Sequence, residues 1–177
     1  MRFSVSLAAV AATLVVATPA AAQQVGSASA QAWAKGTVVQ PVSLVWQQDL
    51  DFGTVVSTAT AGDVSIDANT GGRAVGGGVV PVASYPGDRA VFQGAGAAGQ
   101  TVQLTLSAPA TLVSTTNPAD LIVVKSMVLD TCNCLVDSRV IGPSGVFVVG
   151  VGGDFAISAN QPSGLYRSHF DVTAVYQ

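Results

Sequence analysis

The sequence contains no glutamate: all ten of its acidic side chains are aspartates. Lysine and arginine together number seven, and there is one histidine, His169. Glutamate, lysine and arginine normally build the exposed faces of helices, so their scarcity argues against a helical domain. The cations stand singly along the chain, which leaves no basic face for phosphate and excludes nucleic acid as a partner. One histidine and two cysteines, Cys132 and Cys134, are far apart in sequence and do not make a metal-ligand set. Aromatics make up only 6% of the chain, so each large ring is an individual anchor.

What is present begins with an address. Arg2 precedes a run of small and apolar residues from Leu7 to Ala17, followed by Pro19 and Ala20-Ala21-Ala22. A lone N-terminal charge, a short apolar run and an A-x-A site form the layout of a secretory signal peptide. The run of about 11 residues falls short of the ~20 that span a bilayer, so the mature chain has no membrane-spanning segment. An uncleaved anchor is the alternative reading. Residues 1–22 are therefore expected to be a signal peptide, cut after Ala22, and the chain to be exported to the periplasm, cell surface or medium. The remainder divides into an extension, residues 23–35, and one domain, residues 36–177. Without Arg2 the balance is six basic residues against ten aspartates, a net charge of −4.

The domain reads as all-β. Glycine, valine, threonine and serine are abundant, and no long segment carries a 3.6-residue apolar period. Strands are expected at Thr37–Trp46, Phe52–Ser57, Asp63–Asp67, Arg73–Ser84 with an interruption at Gly76-Gly77-Gly78, Arg89–Gln93, Thr101–Ser107, Ala110–Val113, Leu121–Leu129, Val146–Val151 and Asp154–Ser158. Gly94–Gly99 reads as a flexible link. The final stretch, Gly164–Gln177, places Phe170, Val172, Ala174 and Tyr176 on one face and His169, Asp171 and Thr173 on the other, the alternation of a half-buried strand. Short strands at this spacing predict a single antiparallel β-sandwich.

No catalytic constellation stands out. His169 and Asp171 lack a serine in a nucleophile context and read as a solvent-facing pair. Asp49 and Asp51 read as a strand-entry turn in which carboxylates cap backbone N–H groups. Asp63 and Asp67 do not follow the calcium-loop pattern. Aromatic residues such as Trp33, Trp46, Phe92, Phe155 and Tyr166 read as packing anchors rather than a sugar-stacking row. Cys132 and Cys134 suit an intramolecular disulfide around a tight turn at Asn133; intermolecular bridging, or free or metal-bound thiols, are the alternatives. No cofactor is expected.

Several pieces of the chain resemble a bacterial family known as domain of unknown function 4402. They are Pro41-Val42-Ser43-Leu44 with Asp49-Leu50-Asp51-Phe52-Gly53; Ala90-Val91-Phe92-Gln93 through Gly96 to Thr101–Leu106; Val151-Gly152-Gly153 with Phe155 and Ile157; and Gln161, Gly164, Tyr166, Phe170, Val172 and Tyr176. Gly94 stands where the family pattern has an apolar residue, Ser168 where it has glycine, and the Cys132–Cys134 segment is not a hallmark. The resemblance implies an exported, immunoglobulin-like sandwich similar to fimbrial subunits, and no enzymatic activity.

Two functional expectations follow. One is a surface subunit that assembles with copies of itself or related subunits by β-strand complementation. Its assembly candidates are Trp33 in the extension and Tyr166, Phe170, Val172 and Tyr176 in the last strand. The other is a monomeric exported adhesin or ligand-binding sandwich. The extension also reads as a weakly ordered terminus, since it offers few large side chains to bury.

Overall fold

The computed structural model describes residues 28–177. The expected leader and residues 23–27 of the extension lie outside them. The described residues belong to two units, divided between Thr37 and Val38. In the first, residues 28–37 form no regular secondary structure and are exposed throughout, as an alternation of alanine with small polar residues would dictate.

The second unit is all-β, with no helix. Its strands are β1 (Ser43–Gln48), β2 (Val55–Val56), β3 (Gly62–Ile66), β4 (Arg73–Gly77), β5 (Val80–Pro81), β6 (Ala90–Ala95), β7 (Thr101–Ser107), β8 (Thr111–Ser114), β9 (Leu121–Leu129), β10 (Val136–Val140), β11 (Val146–Ile157), β12 (Tyr166–Arg167) and β13 (Asp171–Tyr176). All pairings are antiparallel. A large sheet runs β1-β6-β11-β9-β8-β12, with β3 and then β4 added beside the second half of β11. A small sheet runs β10-β7-β13, and β2 pairs with β5 as a short ribbon.

The organising strand is β11, 12 residues long. The sequence suggests a stop at Gly152-Gly153, but the strand runs through them. A Cβ on Gly152 would strike the backbone of Ile66 and Ala68, and one on Gly150 the carbonyl of Ala68. Glycine is therefore there for close approach by the turn after β3, rather than to end the strand. Gly94 has a comparable reason: a side chain there would occupy the place of the Phe147 ring. With that ring filling the gap, β6 continues to Ala95 where a flexible link was expected.

Other boundaries also move. The first strand begins at Ser43 rather than Thr37, and only Val55–Val56 of Phe52–Ser57 is paired. Strand β10 is not among the expected strands, and its alternation is inverted: Val136 and Val140 are exposed while Asp137 and Arg139 are half-buried. The terminal strand is split: Tyr166 pairs with Ser114 and Asp171 with Ser107, so the register shifts in between. Pro109 lies opposite the break and has no N–H to give to a ladder.

The apolar residues gather in two clusters. The first lies between the sheets. Val102, Leu104 and Leu106 from β7 face Ala90, Met127, Leu129, Val149 and Val151 from the large sheet, with Val172, Ala174 and Tyr176 of β13 packed alongside. Full burial of each such side chain is worth ~1.5–3 kcal/mol. The second holds Val64, Val79, Leu112, Ile122, Phe155, Ile157 and Tyr166; Val75 and Val124 of the large sheet pack against it, as do Leu50, Phe52 and Val55 from the segment after β1. No residue of the small sheet contributes to it.

The arginines tie segments together. Arg139 on β10 bonds Asp130, Asp137 (2.8 Å) and the Val148 carbonyl (2.6 Å), linking the small sheet to β11. Burial works against its charge, and the bonds to Asp130 and Asp137 more than offset this, so its pKa is raised. In the loop that carries the chain from β9 in the large sheet to β10 in the small one, Cys132 and Cys134 form a disulfide, and Thr131 and Asn133 have positive φ. In the turn after β3, the Asp67 carboxylate accepts from the Thr70 N–H, the Thr70 hydroxyl and the Asn69 N–H, which lowers its pKa. Lys125 pairs with Asp63 on the surface, which raises the lysine pKa.

Candidate functional site

Where the small sheet ends, the second core is left under loops. A cavity of about 850 Å³ opens there. Its floor includes Leu112, Ile122, Phe155 and Ile157, and its walls are residues 49–57 and 161–170. The Phe52 ring stands 5.1 Å from that of Phe155, joining one wall to the floor.

The first wall is held firmly. Asp51 Oδ1 accepts from the Gly53 N–H at 2.7 Å, and the backbones of Asp51 and Asp88 exchange hydrogen bonds. Asp49 accepts from the Trp46 indole at 3.1 Å. Asp51 thus caps a backbone N–H as expected, whereas Asp49 holds the Trp46 indole instead of a backbone group. The Arg73 guanidinium donates to the carbonyls of Phe52 (3.4 Å), Thr54 (3.1 Å), Tyr85 (2.9 Å) and Val82 (3.1 Å). One cation thus gathers the carbonyls of two segments, three of which (Thr54, Val82 and Tyr85) also accept backbone N–H bonds within the ribbon. Gly53 has φ +73, and a side chain there would collide with the Tyr85 carbonyl and Arg73.

The second wall is held mainly at one end. The Tyr166 hydroxyl donates to the Pro162 carbonyl (2.7 Å) and accepts from Gln161 (3.0 Å), which also donates to the Leu121 carbonyl (3.1 Å). Ser57 Oγ donates to the Gln161 carbonyl (2.9 Å) and the Asn160 N–H to the Thr58 carbonyl (2.7 Å), closing that end. Residues 162–165 and 167–169 are exposed.

The charged groups of the cavity, Asp49, Asp51 and Arg167, are exposed at its lip, as is His169. Among the described residues, no hydrogen bond joins His169 to a serine or to Asp171, and no ion pair crosses the cavity. No group of three or more His, Cys or Asp side chains among them is placed to hold a metal ion. An apolar floor under a solvated polar lip is suited to receiving an apolar group.

The residues singled out for assembly fall in different settings. Trp33 is 92% exposed. Tyr166 is buried in the second core. Phe170 stacks edge-on against Phe92 at 6.0 Å, and Val172 and Tyr176 pack on the first core. The Tyr176 hydroxyl donates to the Gln40 carbonyl and accepts from the Ala97 N–H, both at 2.7 Å. Those four side chains are engaged within the domain, and what β13 leaves open is its backbone edge, since it pairs only with β7. β1 likewise pairs only with β6, and it meets β13 along the same side of the sandwich. The cavity is not legible in the sequence: the turn at Asp49–Gly53 and the start of the last stretch at Gly164 do not point to a shared hollow.

Among the described residues, no helix is long and apolar enough to cross a membrane. No curated protein and no solved structure matches the chain. The family model described as Domain of unknown function (DUF4402) matches residues 42–176, which include every strand, and the chain belongs to that family.

Proposed function

We propose that the chain is an exported, non-enzymatic surface subunit of a fimbria- or filament-like assembly. It joins copies of itself or related subunits by accepting a strand into an immunoglobulin-like sandwich. The observation that carries this reading is the second core, which is covered by loops over a cavity of about 850 Å³. The cavity walls, residues 49–57 and 161–170, follow β1 and precede β13 in the chain, and each of those two strands, whose side chains pack on the first core, has one unpaired edge. Unpaired edges offer rows of N–H and C=O groups, and an added strand gains main-chain hydrogen bonds there while alternate side chains fill the hollow. The leader-like residues 1–22 support export. Segment Gln23–Ala34 is the donor candidate.

A second reading is favoured by the size of the cavity, which lies within the range of small-ligand sites. A monomeric adhesin or binding module would use it for an apolar ligand. Light scattering and negative-stain microscopy on the exported protein, with and without Gln23–Ala34, separate the two. Multimers lost on truncation support the subunit. Equally stable monomers of both forms contradict it and favour the ligand site.

A further inference from the structure

We infer that the cavity between residues 49–57 and 161–170 is the seat for residues 29–35 of a second copy, with the Trp33 indole as its plug and Lys35 at its acidic lip. This rests on the strand-addition reading and names its contact.

Trp33 is 92% exposed. Seating its ring in a partner would remove roughly 150–250 Å² from solvent. In an extended segment, Trp33 shares a face with Ser29, Gln31 and Lys35, while Ala28, Ala30, Ala32 and Ala34 form the other. The segment therefore carries one bulky group, on one face, and a cavity of about 850 Å³ has room for an indole over Phe155 and Ile157.

Charge sets the direction. Lys35 is the only charged residue between Ala28 and Gln40. Positions two apart in a strand are separated by roughly 7 Å. With Trp33 seated, Lys35 falls just outside the hollow, where Asp49 and Asp51 are exposed; Arg167 and His169 belong to the opposite wall. The lysine end thus lies toward Asp49 and Asp51.

The test uses the exported full chain carrying Trp46→Phe, so that Trp33 is the sole tryptophan. Its emission and its access to a soluble quencher are followed with concentration, alongside mass by light scattering. The expected result is a blue shift and quencher protection that grow together with mass. Trp33→Ala should weaken association at least about 30-fold. Lys35→Ala should weaken it a few-fold and reduce its salt dependence. Because Trp46→Phe removes a contact to Asp49, a disulfide trap serves as the second readout. Chains with Trp33→Cys should cross-link to chains with Ser168→Cys, at the lip, and not to chains with Val140→Cys on β10. Association with Trp33 still open to quencher and no trap at Ser168 overturns the seat while leaving strand addition standing. Protection of Trp33 in the monomer overturns the second copy as its source. No association at any concentration overturns both readings.

Discussion

The two apolar clusters are built from one large sheet but covered in different ways. Over the first, the β10-β7-β13 sheet lays Val102, Leu104 and Leu106 directly on Leu129, Val149 and Val151. Over the second, the cover is the segment around Leu50, Phe52 and Val55, and about 850 Å³ remains open. Sheet-on-sheet packing brings rows of alternating side chains into register, so it fills space evenly. A loop must turn to satisfy its own backbone, as Asp51 and Arg73 show, and it cannot present a continuous row. The half that lacks a facing sheet is therefore the half that the proposed strand addition would fill.

This contrast has measurable consequences. The largest is in the cores themselves. Leu104→Ala, in the sheet-covered core, should cost about 4–5 kcal/mol, and Leu112→Ala, on the cavity floor, only about 2–3 kcal/mol, by chemical denaturation. Equal costs would mean that the two halves are equally well packed. Next is the tie between the sheets. Arg139→Met leaves Asp130 and Asp137 facing each other without their cation and should cost ~2–3 kcal/mol. Replacing those aspartates by asparagine in the same variant should recover part of the loss.

A smaller effect is expected at the loop cover. Arg73→Met removes the donors to Phe52, Thr54, Val82 and Tyr85 and should cost about 1–2 kcal/mol. Its signature is local: hydrogen exchange should quicken in residues 52–56 and 82–85 and stay unchanged in β7. The smallest effect is a pH dependence. Asp67 is held below the ordinary carboxylate range in the folded chain by Thr70 and Asn69. Its stabilisation is present above the unfolded value and is lost as pH falls through the lowered folded value. Asp67→Asn should therefore be less stable than the parent at neutral pH, and the difference should shrink as the solution is made acidic.

Much of the fold was legible because alternation survives in its strongest strands. Thr101–Ser107 and Leu121–Leu129 were read with their observed ends, and Val172, Ala174 and Tyr176 face the core as their spacing implies. The failures share a cause: a tertiary neighbour overrode a local signal. Gly152 and Gly153 look like a stop until the turn at Ile66–Ala68 is laid across them. Gly94 looks like a link until the Phe147 ring fills its gap. Val136–Val140 turns its valines outward and its charged residues inward, where Arg139 finds Asp130, Asp137 and the Val148 carbonyl. The cavity was illegible because its two walls are more than a hundred residues apart in sequence, and their proximity depends on β12 and β13 crossing from one sheet to the other.

The most direct test of strand acceptance is hydrogen exchange on the exported protein at low and high concentration. New protection at high concentration should appear in β13, β1 and residues 49–57 and 161–170, and not in the outer edges of β4 or β10. Protection gained at β4 or β10, or none anywhere while mass increases, would contradict the assignment of the loop-covered half as the accepting site.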